Sequence, residues 1–70
     1  MTEELVFDMA VFQLNMTTSN TDAVFFKDGL VVETRNGLSL GEFDRIREKL
    51  ILDGWRYTIV KRLRFLTKPR

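Results

Sequence analysis

Apolar side chains recur along both phases of an extended alternation from Leu5 to Met16: Leu5, Phe7, Met9 and Val11 fall on one side, Val6, Ala10, Phe12, Leu14 and Met16 on the other. The stretch is rich in β-branched and aromatic residues, lacks glycine and proline, and predicts a strand. Leu5, Met9, Phe12 and Met16 also fall at helical spacing, which leaves a helix as the alternative. A strand that is apolar on both sides needs two covers. One helix supplies one of them, so either a bulge switches the inward face midway or a second chain buries the other side.

Thr17 to Asp22 is polar and without periodicity, as in a turn or loop. Two short β-prone runs follow, Ala23 to Lys27 and Leu30 to Arg35, separated by Asp28-Gly29. That dipeptide favours a type I′ hairpin, whose two central residues both need positive φ; the alternative is one longer strand with a bulge at Gly29. Asn36-Gly37 predicts the next turn. A helix is then expected from about Leu40 to Asp53, with Ser39 and Glu42 as an S-x-x-E capping box and Gly54 as the left-handed residue past its end. Leu40, Phe43, Ile46, Leu50 and Ile51 form its apolar stripe, and Asp44 reaches Arg47 at i,i+3. Leu52 falls off the stripe.

The last strand is expected to run from Trp55 to Leu66, one of its faces interrupted by Lys61. Its alternation assigns Trp55, Tyr57, Ile59, Leu63 and Phe65 to the helix side, and Arg56, Thr58, Val60, Arg62, Arg64 and Leu66 to the other. Residues 67–70 read as a frayed tail. Together these elements predict a single α+β domain over residues 1–70. It is a small antiparallel β-sheet of three to four strands with one helix packed on one face, in the order β-β-(β)-α-β.

Composition narrows the chemistry. The 70 residues contain no cysteine and no histidine, which excludes disulfides, thiolate zinc sites and Ser-His-Asp triads. The acids lie at turns, at the N-terminus and on the polar side of the helix, and the glycines are scattered among turns and helix ends, so neither an acid–base pair nor a phosphate-cradling loop is assembled. The chain reads as a non-enzyme that needs no cofactor and no metal. No apolar run has the roughly 20 residues a membrane helix needs, and the start is acidic where a signal peptide is basic, so the expectation is a cytoplasmic protein.

Charge adds a second asymmetry beneath a net value of only +1. Residues 1–28 hold five acids and one base, whereas residues 54–70 hold six bases and no acid. Acidic and basic strands lying side by side would neutralise one another; a cationic stripe left free would meet an acidic partner or nucleic acid. On the second view Arg56, Arg62 and Arg64, with Val60 and Leu66 between them, form a partner-binding surface. Val6, Phe12, Leu14 and Leu52 are the residues expected at a dimer contact. Trp55 and Tyr57 are candidates for interface anchors or for core beneath the helix.

The segment Gly37-Leu38-Ser39-Leu40-Gly41-Glu42-Phe43 resembles the G-L-S-L-x-[DE]-F run that leads from strand into helix in the small uracil-DNA glycosylase inhibitor of Bacillus podophages. The resemblance covers these seven residues. It implies a compact, dimeric sheet-plus-helix protein that acts by occupying another protein's surface. That family mimics DNA and is strongly acidic, whereas this chain carries +1, so no individual functional residue is carried over. The resulting expectation is a phage-type inhibitor or modulator of a host protein, acting as a homodimer, with nucleic-acid binding through the basic C-terminal strand as the alternative.

Overall fold

A computed structural model describes residues 6–69. Five strands and one helix follow in the order β1 (Met9–Asn15), β2 (Asn20–Lys27), β3 (Leu30–Leu38), α1 (Leu40–Leu52), β4 (Arg56–Val60) and β5 (Leu63–Thr67). The strands make one antiparallel sheet in the order β3-β2-β1-β5-β4, with β1 central and β3 and β4 at the edges.

Within the Leu5–Met16 run the strand covers Met9–Asn15; Met16 belongs to the turn that follows, and Leu5 lies outside the described residues. The alternation breaks at a bend at Asp8. Phe7, expected beside Met9 and Val11, instead packs against Phe25 and Trp55, with ring centroids 4.8 and 5.2 Å away. Asp28 and Gly29 both take positive φ, 52° and 80°, as a type I′ hairpin turn requires. Asn36-Gly37 is not the expected turn. It lies inside β3, where the pairing with β2 slips between Thr21 and Ala23, and Asp22 Oδ1 accepts a 3.0 Å bond from the Gly37 N–H.

The helix is delimited by its own sequence. Ser39 Oγ accepts from the Glu42 N–H at 3.2 Å and donates to Glu42 Oε1 at 3.1 Å, so the capping pair closes on the hydroxyl. At the other end the Gly54 N–H reaches Ile51 O and the Trp55 N–H reaches Leu50 O, a Schellman motif with Gly54 at φ 91°. Asp44 pairs with Arg47 at 2.9 Å, as the spacing predicts. Phe43 and Leu50 are buried and Ile46 packs on the core, whereas Leu40, Ile51 and Leu52 stay exposed.

The C-terminal stretch is two strands where one was expected. Lys61 adopts φ 55° and, with Arg62, forms a tight turn between β4 and β5, which accounts for the fifth strand. The reversal also resets the alternation. Tyr57 pairs with Leu66, which in turn pairs with Ala10, along the buried side of the sheet, while Leu63 and Phe65 move to the opposite side, level with Gln13 and Val11. The tail is shorter than expected, since Thr67 belongs to β5 and the Lys68 N–H donates to Asp8 O at 2.9 Å; Arg70 lies outside the described residues.

The core comes from one side of the sheet. Across β1 and β2, Ala10 faces Phe25 and Phe12 faces Ala23, all at 2% exposure or less. This alternation of small and large residues leaves room above Phe12 for the ring of Phe43, 4.8 Å away. Leu66, Leu38 and Thr21 complete the buried set.

Candidate protein interface

Every buried sheet residue belongs to that one side. The opposite side carries Met9 and Val11 from β1, Val24 and Phe26 from β2, Val31 from β3, Leu63 and Phe65 from β5 and Val60 from β4. None is buried: the central ones are half-exposed, and Val31 and Val60 at the edges are exposed. The register centres the patch on Val11, flanked by Val24 and Phe65. The sheet is therefore apolar on both faces, and the described residues bury one of them.

This face differs from the one expected at a dimer contact. Phe12 is fully buried beneath Phe43, and Leu14 lies on the same side of β1 as Phe12, half-buried. Val6 precedes the strand and is exposed at the lip of a cleft with Phe7 and Trp55. Leu52 is exposed but belongs to α1, in the layer that contacts Phe12. Both phases of the β1 alternation are apolar, so sequence leaves open which one the helix takes. The discriminating signal is the pair of small residues, Ala10 and Ala23, that the register places among the large ones.

The proposed cationic surface is also redistributed. Leu66 is fully buried in the core. Arg56 is level with Thr67 and Met9 on the open face. Arg62 sits in the β4–β5 turn, while Arg64 is on the core side and folds back, its Nη1 donating to Lys61 O at 2.7 Å and Leu63 O at 3.2 Å. Three arginines that alternate along one strand in sequence thus occupy three places once the chain turns at Lys61. Among the described residues the ion pairs lie within β3 (Arg35 with Glu33) and within α1 (Arg47 with Asp44), so none joins the acidic first half to the basic end.

A second feature is a cleft of about 640 Å³ between α1 and the sheet. Its lining includes the buried Phe25 and half-buried Phe7 and Trp55, together with the exposed Arg35, Lys49, Asp53 and Lys68. Among the described residues no three acidic side chains converge as a metal site would require, and no helix is long and apolar enough to cross a membrane. Comparison with known proteins returns no matching family model, curated protein or solved structure.

Proposed function

We propose that this chain is a small non-enzymatic protein-binding module that works as a homodimer and modulates another protein by occupying its surface. The observation that carries this reading is the second apolar face of the sheet. In the proposed arrangement α1 covers one face and another chain covers the other. Covering it stabilises the assembly by about 25 cal/mol for each Å² of apolar surface removed from water, a large effect for a domain with so small an interior. The outer edge of β4 remains available to the target. Its Ile59 is 57% exposed and lies beside the Lys61-Arg62 turn, where unpaired backbone groups and two cations suit an extended, acidic segment of a partner.

Light scattering on the intact chain, from low to high micromolar concentration, tests the homodimer. The reading expects a mass twice that of one chain at the upper end of the series. A single-chain mass throughout would refute it.

A further inference from the structure

We propose that the open face is covered by a second copy of itself, about a two-fold axis passing between Val11 and Phe65, with Arg56 of each copy paired to Asp22 of the other. This rests on the homodimer reading and specifies its geometry. A two-fold contact brings one patch against itself, so the patch must be self-complementary. Among the described strand residues on this face, Arg56 and Asp22 are the only charged ones, and neither has an ion-pair partner among the described residues. Arg56 is exposed and Asp22 half-exposed.

Their positions follow from the register. Asp22 is level with Gln13 on β2, and Arg56 is level with Met9 on β4. They are separated by three strand spacings, about 14 Å, across the sheet and by four residues, about 13 Å, along it. The midpoint of that diagonal falls between β1 and β5 at the paired residues Val11 and Phe65. An in-plane two-fold axis through this point, perpendicular to the diagonal, exchanges the two corners and forms the Arg56–Asp22 pair twice. Because the two displacements are nearly equal, the axis lies at about 45° to the strands and the two sheets cross at about 90°, one of the two ways in which sheets pack face to face. Val11 and Phe65 then meet their own counterparts at the centre, with charged pairs at two opposite corners.

The footprint is roughly 20 Å by 17 Å, on the order of 340 Å² in projection. A specific interface usually buries about 800 Å² on each partner, so this contact is small and sensitive to its corner charges. The test is sedimentation velocity at low salt on the wild type, Arg56→Glu, Asp22→Arg and an equimolar mixture of the two variants. Each variant alone sets like charges at both corners, and its dimer dissociation constant is expected to rise about tenfold or more. The mixture restores opposite charges at both corners, and it should associate within about threefold of the wild type. Asp22→Asn keeps the acceptor for the Gly37 N–H while removing the charge, and it should weaken the dimer with the thermal melt unchanged. A wild type that is monomeric at every concentration overturns the homodimer reading and this inference together. A wild-type dimer indifferent to the exchanges, or variants that fail to associate when mixed, overturns this inference alone.

Discussion

Thr21 offers a measurable test of how the core is built. Its side chain points into the buried side of the sheet, between Leu14 and Leu38 in the register, at 0% exposure. Its Oγ1 has no hydrogen-bond partner among the described residues. A buried hydroxyl without a partner costs about 1–3 kcal/mol, the solvation it gave up on folding. Replacing Thr21 by Val removes that cost and exchanges an oxygen for a methyl of similar size, with no loss of β-propensity. We expect Thr21→Val to stabilise the fold by about 1–2 kcal/mol. A 70-residue domain has only about 4–10 kcal/mol in total, so the change is a sizeable fraction. Melting should rise by about 4–8 °C for each kcal/mol, and the urea midpoint should rise with an unchanged slope. Thr21→Ser, which keeps the hydroxyl and deletes the methyl, should lower stability by about 1 kcal/mol. Thermal and urea unfolding followed by circular dichroism reads both variants. A Val variant less stable than wild type would show that the Thr21 hydroxyl makes a bond that the valine loses, contrary to its unpartnered state here.

Two further outcomes follow from the turns and caps. Ser39→Ala removes the acceptor for the Glu42 N–H and should cost about 1 kcal/mol, while Ser39→Asp should retain most of that stability; thermal melts of the three proteins check this. Lys61 holds φ 55°, a conformation that costs an L-residue about 1–2 kcal/mol and glycine little, so Lys61→Gly should raise the melting temperature by a few degrees after its own entropy cost of about 0.5–1 kcal/mol. The same change at Lys27, inside β2, should lower it.

The parts of the fold that were legible in the sequence are those governed by local chemistry. Ser39, Glu42 and Gly54 mark the ends of α1 because they satisfy backbone groups within a few residues of themselves, and Asp28-Gly29 specifies its turn in the same way. The β4–β5 turn was hidden because neither Lys61 nor Arg62 is a turn former, and Lys61, the one charged residue on the otherwise apolar face from Trp55 to Phe65, reads as an interruption of that face and not as a reversal of the chain. The sheet, not the local sequence, imposes the positive φ at Lys61. Missing that turn inverted the sides assigned to Leu63, Phe65 and Leu66, and it gathered Arg56, Arg62 and Arg64 onto a surface they do not share. The two-sided apolarity of β1 was plain from the alternation, since both of its phases are apolar. Its orientation was not, because it depends on a cross-strand match of Ala10 with Phe25 and Phe12 with Ala23 that exists only once β1 and β2 are in register.

Val11 lies at the middle of the second apolar face. Val11→Lys places an ammonium where the proposed axis would bring two copies of the residue together, while in a single chain the long apolar stem lies along the exposed sheet. Sedimentation equilibrium of this variant beside the wild type, with circular dichroism to follow the fold, is the most direct measurement. The expected result is a dimeric wild type and a folded, monomeric variant. A wild type already monomeric, or a variant as dimeric as the wild type, would contradict it.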